Sequence, residues 1–303
     1  MLVVMCISFS ACGSTIESPN SAPVADPKPS VSSENSNSGK TDSATSVKET
    51  TEYTIKDYTV VETDECAFRI NDITDKKGNV QVSVYLENKT EDKTLMFAME
   101  DCVVNGCAID PFWAKTVAAG KKSNDSFTFS SSELETYGLT SVDELRFELR
   151  VYNYDDWLED PVVKEVFSVY PTGKEADQVV YVKREDQSDD EIFVDNEELK
   201  VSAIGSGKGT FWAYYVSLYF ENKTDEVLMF SWRDVSVNGY MCDPYFATTV
   251  PAHSCKYADV TFSTSAFEEN NIETVEEVEF NLYVYDDENW LSDYLSETYS
   301  YTP

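Results

Sequence analysis

One block is written out twice in this chain, and no other feature constrains its fold so strongly. From Val104 it runs Val104-Asn105-Gly106, Asp110-Pro111-Phe112, Thr116-Val117 and Phe127-Thr128-Phe129-Ser130, and closes at Val151-Tyr152 and Trp157. The same steps return 133 positions later as Val237-Asn238-Gly239, Asp243-Pro244-Tyr245, Thr249-Val250, Val260-Thr261-Phe262-Ser263, Val284-Tyr285 and Trp290. Because the spacing is held without a gap, the second half repeats the fold of the first. The 303 residues leave roughly 115–125 for each copy, enough to bury a core without metals or a dense disulfide framework. We place the first copy at residues 51–172 and the second at 179–303, joined around residues 171–178; residues 179–183 fit either copy.

Within each copy the apolar residues recur every second position. Val80, Val82, Val84 and Leu86 alternate with Gln81, Ser83, Tyr85 and Glu87, and Leu145, Phe147, Leu149 and Val151 alternate with Arg146, Glu148, Arg150 and Tyr152. The second copy gives Tyr214, Val216, Leu218 and Phe220, then Val278, Phe280, Leu282 and Val284. That period puts one set of side chains on a core face and the other toward solvent. Glu-Asn-Lys-Thr follows at 87–90 and at 221–224 as turn composition. Asn105-Gly106 and Asn238-Gly239 predict hairpins, since a type I′ turn needs positive φ at both central residues. The Asp-Pro steps interrupt the return strands, because proline cannot donate to a ladder. Residues 132–138 read as one helical turn with a serine cap, docked by Leu134, with Phe267 in the matching place. About seven short alternating strands per copy predict an all-β fold of two tandem antiparallel β-sandwiches.

The N-terminus points to export. Residues 2–9 are a short apolar run followed by Ser10-Ala11-Cys12-Gly13, too short to span a bilayer but suited to a signal-peptide core. This stretch resembles the lipobox of bacterial lipoproteins, which implies a signal peptide over residues 1–12 and a lipid on Cys12. Residues 13–50 are rich in Ser, Asn, Pro and Thr and read as a disordered tether. Export makes disulfides the expected use of the remaining cysteines. Cys242 and Cys255 bracket one strand, which predicts a bridge between them. Cys102 and Cys107 flank the Asn105-Gly106 turn on one side of a hairpin, and Cys66 is either a buried thiol or a partner for one of them.

The formal net charge of −33 argues against nucleic acid, whose binding depends on Lys and Arg neutralising phosphates. The single histidine, His253, lies in a Pro-Ala-His-Ser turn whose counterpart is Gly120, so histidine-dependent triads and zinc sites are not expected. A carboxylate pair facing a cleft is the one enzymatic alternative, as in a hydrolase. The acidic turns Asp155-Asp156 and Asp286-Asp287 raise a calcium hypothesis, although no EF-hand loop surrounds them. Tyr85, Tyr152, Tyr215, Tyr219, Tyr283 and Tyr285 fall on the outward register of their strands, where planar rings can stack on sugars or anchor a protein. Trp157 and Trp290 are shared by both copies and read as core or corner residues. Trp113, Trp212 and Trp232 are not shared as tryptophan, which marks them, with Tyr152 and Tyr285, as ligand-binding candidates.

Together, the repeated Asn-Lys-Thr, the Val-Asn-Gly hairpin and the Asp-rich Trp turn resemble tandem Ig-like β-sandwich domains of unknown function on surface lipoproteins of Firmicutes, over about residues 55–302. The resemblance implies exposure on the outer face of the cell membrane and a binding or envelope role, and brings no catalytic residues. The expectation is therefore a lipid-anchored, extracytoplasmic, non-enzymatic binding module with no cofactor, whose partners are the membrane and either a protein or a cell-wall glycan. A carbohydrate-binding surface protein is the alternative.

Overall fold

The structure is a computed structural model and describes residues 51–289 and 291–303. The first repeat runs β1 (Lys56–Glu62), β2 (Cys66–Lys76), β3 (Asn79–Asn88), β4 (Leu95–Val104), β5 (Cys107–Ala108), β6 (Ala114–Val117), β7 (Lys122–Phe129), helix α1 (Ser131–Thr136), β8 (Leu145–Asn153) and β9 (Val163–Val169). The second follows in the same order as β10 (Glu191–Asp195), β11 (Leu199–Gly207), β12 (Tyr214–Asn222), β13 (Leu228–Val237), β14 (Tyr240–Met241), β15 (Ala247–Val250), β16 (Ser254–Phe262), α2 (Thr264–Glu269), β17 (Val278–Asp286) and β18 (Asp293–Tyr301). In the first repeat β1-β2-β3-β7 forms one sheet, while β4, β8 and β9 form the other, with β5 and β6 paired to β4. The second repeat reproduces this as β10-β11-β12-β16 and β14-β13-β17-β18 with β15 on β13.

The alternation read from the sequence fills both cores. Val80, Val82, Val84 and Leu86 on β3 face Leu145, Phe147, Leu149 and Val151 on β8, all buried. On β12 the same set is Tyr214, Val216, Leu218 and Phe220, opposite Val278, Phe280, Leu282 and Val284 on β17. Each buried ring or branched chain removes enough apolar surface from water to contribute about 1.5–3 kcal/mol before entropy is counted.

The repeated turns are fastened by repeated amides. Asn105 and Gly106 have φ of 49° and 83°, and Asn238 and Gly239 have 51° and 81°, as a type I′ turn requires. The Asn105 side chain also donates to the Ser141 carbonyl at 2.8 Å and accepts from the Asp143 and Glu144 N–H groups at 2.8 and 2.9 Å. Asn238 makes the same clasp with Thr274, Glu276 and Glu277. Asn88, 1% exposed, donates to Lys93 and Val117 carbonyls and accepts from the N–H and hydroxyl of Thr90. Asn222 repeats this with Glu226, Val250 and Thr224, which explains the repeated Asn-Lys-Thr. The helix cap is Ser130 rather than Ser132: its side chain accepts from the Glu133 N–H and Glu133 reaches back, a capping box.

The two repeats are joined through their sheets. A single parallel bridge, Cys107 of β5 to Cys255 of β16, fuses the second sheet of the first repeat to the first sheet of the second, giving one nine-stranded sheet. The Cys255 N–H donates to the Gly106 carbonyl at 2.9 Å. The connecting chain packs on the first repeat, where the Tyr181 ring lies against Gly106 and its hydroxyl donates to Glu144 at 2.9 Å. Tyr181 thus packs on the first repeat, while Lys183 of the same stretch faces Glu221 of the second at 3.9 Å.

Candidate functional site

A groove of about 570 Å³ runs between the repeats, with Asp101, Asp110, Phe112 and Tyr137 on one wall and Met229, Thr249, Lys256 and Tyr257 on the other. Local chain geometry builds each wall. Asp101 sits at φ 48° in a β-bulge of β4, where the register against β8 shifts between Glu100 and Val103; Asp234 repeats it at φ 52°. Burial, reinforced by Glu148, Asp287 and Glu100, pushes the Asp101 carboxyl up to about 6. Lys256 is lowered from its ordinary value by burial, with Asp110 and Asp101 opposing that change, and it donates to the Thr249 carbonyl at 3.0 Å. The groove thus holds a carboxyl raised above the ordinary carboxylate range beside a partly desolvated ammonium.

Phe112 stands at the rim, 89% exposed, at φ 49°. Its N–H donates to Asp110 Oδ1 at 2.7 Å, an Asx turn that holds the residue in a left-handed conformation. Tyr245 takes the matching place in the second repeat, 91% exposed, at φ 51°, with its N–H on Asp243 at 2.8 Å. A non-glycine residue at positive φ, with a large ring left in water, is costly twice over, and here it occurs twice.

The tryptophan expectations need correction. Trp113 and Trp232 are buried at 8% and 3% exposure and belong to the two cores. Trp113 packs against Phe68 and Phe127, and Trp232 stacks on Phe280 with ring centroids 3.7 Å apart. They are not shared as tryptophan because the repeats exchange a large and a smaller residue across adjacent backbone segments. Trp113 accompanies Met99 in the first repeat, while Phe246 accompanies Trp232 in the second, and in each the first strand's N–H donates to the partner's carbonyl. Aligning the two copies at these four positions carries that signal. Trp212 is 49% exposed in the β11–β12 loop. Trp157 is 65% exposed, not a core residue, because its turn projects beyond β8 and β9. Trp290 and Cys12 lie outside the described residues.

Of the outward tyrosines, Tyr85, Tyr152, Tyr215, Tyr283 and Tyr285 are half-buried. Arg150 lies over the Tyr152 ring, and Tyr283 packs beside Tyr285. Tyr219 is the exception at 1% exposure, since the first repeat covers that face of β12. A smaller cavity of about 240 Å³ lies there, lined by Tyr181, Tyr219, His253 and Cys255. His253, at φ 48° on its exposed turn, meets Asp225 at 2.6 Å.

The cysteines are sorted differently from the sequence expectation. Cys255 faces Cys107, with the sulfurs 3.5 Å apart, whereas Cys242 is buried in the second core beside the Asn270 amide at 3.8 Å. The strand that Cys242 and Cys255 bracket belongs to one sheet and Cys255 to the other, which separates the two thiols. Cys66 and Cys102 are buried in the first core as free thiols, and burial raises both. In the acidic turns, Asp156 and Asp286 accept from N–H groups of their own loops, and Asp155 donates its N–H to Asn153. Burial and then Asp286 raise Asp287. Among the described residues no three His, Cys, Asp or Glu side chains converge as a metal site.

No family model matches the chain, and no curated protein matches it. Among solved structures it is similar at 11% identity and a TM-score of 0.23 to the exo-chitosanase CsxA of Amycolatopsis orientalis, with 73% of this chain and 25% of that chain covered. A variant of the same enzyme in complex with PNP-beta-D-glucosamine gives 10% identity and a TM-score of 0.22 over the same shares. The chain spans about a quarter of the length of these solved structures.

Proposed function

We propose that the chain is a lipid-anchored, extracytoplasmic binding module without enzymatic activity, held to the membrane through Cys12 and a tether over residues 13–50, and that ligand enters the groove between the repeats. The supporting observation is Phe112, kept exposed at positive φ on the rim of a groove that also presents Asp101, Asp110 and Lys256. Strain and exposed aromatic surface persist where the surrounding structure is built to hold them, and such sites are those used for recognition. Tyr245 offers a second ring in the same posture.

A carbohydrate ligand is the second reading. A flat ring beside carboxylates and an ammonium matches the apolar face and hydroxyl edge of a sugar, and Trp212, Tyr152 and Tyr285 keep accessible ring surface. Protein partners meet aromatic anchors through buried apolar pockets instead.

The full chain applied to insoluble cell wall and to a glycan array tests this. Phe112→Asn keeps a residue that tolerates the left-handed region. Retention should fall about tenfold or more with this variant, as loss of one recognition anchor of about 1.4 kcal/mol or more requires. Equal retention of variant and wild type refutes the groove as the site. Mass analysis of protein extracted from membranes tests the anchor: a diacylglyceryl group on Cys12 supports it, and an unmodified Cys12 refutes it.

A further inference from the structure

The joint between the repeats contains a thiol pair that no role described above uses. Cys107 and Cys255 are bridge partners in adjacent parallel strands, 1% and 8% exposed, with sulfurs 3.5 Å apart. Residues paired across strands bring their Cα atoms within the range a disulfide spans, and sulfurs already in contact need only side-chain rotation to close.

The duplication gives an independent argument. The position matching Cys107 in the second repeat is Tyr240, 51% exposed, and the position matching Cys255 in the first is Lys122, whose side chain is 61% exposed. Neither repeat pairs cysteines within itself at these places. Of these four matched positions, cysteine stands only at the two that the joint brings face to face.

We propose that Cys107 and Cys255 form a modification site, closing into a disulfide that staples the two repeats together when the chain meets a low-molecular-weight disulfide oxidant. The cavity beside Cys255, bounded by Tyr181, Tyr219 and His253, is the way in for such a molecule. Cys255 is the attacking thiol, because it lines the cavity and is the more exposed of the two, and its contact with Cys107 favours its thiolate against the opposing effect of burial. The Cys255 thiolate attacks one sulfur of the oxidant, whose S–S bond breaks; a mixed disulfide forms, and the departing thiolate takes the Cys107 proton. The Cys107 thiolate then attacks Cys255 Sγ and expels the second oxidant thiolate, which is protonated by the proton Cys255 first gave up. Two protein thiols are oxidised to one disulfide, and one oxidant disulfide is reduced to two thiols.

The test uses the full chain incubated with glutathione disulfide, against a sample reduced with a phosphine. Both are unfolded in denaturant, alkylated and digested without reductant. The expected result in the oxidised sample is a cross-linked pair of peptides carrying Cys107 and Cys255, with loss of both free thiols and a fall in mass of about 2 Da. Cys242→Ser should leave the pair intact. Recovery of Cys107 and Cys255 as alkylated peptides after oxidation overturns the proposal, as does a Cys242–Cys255 cross-link or an adduct of glutathione on Cys255 that never resolves. Because the wild-type chain supplies the deciding measurement, no variant has to fold for the result to count.

Discussion

The hydroxyl of Tyr137 ties the repeats together at Tyr257. It donates to the Ala108 carbonyl at 3.0 Å within its own repeat and accepts from the Tyr257 N–H at 3.2 Å in the other, while the two rings lie 4.9 Å apart. Burial raises the phenol, so it stays protonated and available as donor. The matching residue in the second repeat is Asn270, which bonds back to the Ala266 carbonyl instead.

Tyr137→Phe should destabilise the joint by about 1–3 kcal/mol, because it keeps the ring but strands a carbonyl and an N–H away from water. Tyr137→Ala should cost more, since the packing against Tyr257 goes as well. Urea unfolding of both variants checks the order; a Tyr137→Phe variant as stable as wild type would mean that the hydroxyl bridge contributes nothing.

Asn88 and Asn222 are each buried with four hydrogen bonds, three within their own turn and one to a carbonyl of a distant strand, Val117 or Val250. Asn88→Ala and Asn222→Ala should each cost about 2–4 kcal/mol, since each removes four hydrogen bonds from groups that lie mostly away from water. The measurement is the denaturation midpoint of each variant. Lys89→Ala, in the same turn but partly exposed, should shift it far less.

Trp113 with Met99 and Phe246 with Trp232 fill equivalent space in opposite order. Met99→Trp alone should overpack the first core by about 1–3 kcal/mol. Adding Trp113→Phe, which copies the arrangement of the second repeat, should recover part of that loss, with a coupling of about 1 kcal/mol or more in a double-mutant cycle. Additive losses would show that the two sites do not share one space.

Asp101 gives the groove a pH dependence of definite sign. Its folded value of about 6 lies above the ordinary 3.8. Below that ordinary value both states are protonated and the group contributes nothing. Between the two values the folded chain holds a proton that the unfolded chain has released, so stability falls as pH rises, reaching a deficit of about 2–3 kcal/mol at neutrality. Asp101→Asn should flatten the profile between pH 4 and 6 and raise neutral stability by about 2 kcal/mol. Glu148, raised by burial in the same region, leaves a residual slope of the same sign.

The strands, the hairpin turns and the duplication were all present in the letters, because a two-residue period, an Asn-Gly pair and a fixed offset are local and additive signals. The alternation Val80 to Leu86 fell on buried positions as written. The aromatic assignments were not legible in the same way. Trp113 and Trp232 share the letter of a recognition residue and the burial of a core residue, and only the neighbour across the chain tells them apart. The rim of the groove is half-visible in the sequence: Asp110-Pro111 marks an interruption of the strand, but nothing local says that the Phe112 ring is left exposed.

The sequence by itself determined how many sandwiches there are and which face of each strand is dry, since side-chain direction follows from position along the strand. Only the tertiary structure decided that β5 meets β16, that Tyr219 is covered on its outward face, and that Cys255 looks to Cys107 rather than Cys242. The reason is physical: the edge of a sheet carries unpaired backbone groups that any other edge can satisfy, so which two edges join depends on the shapes brought together, not on the residues that make either strand.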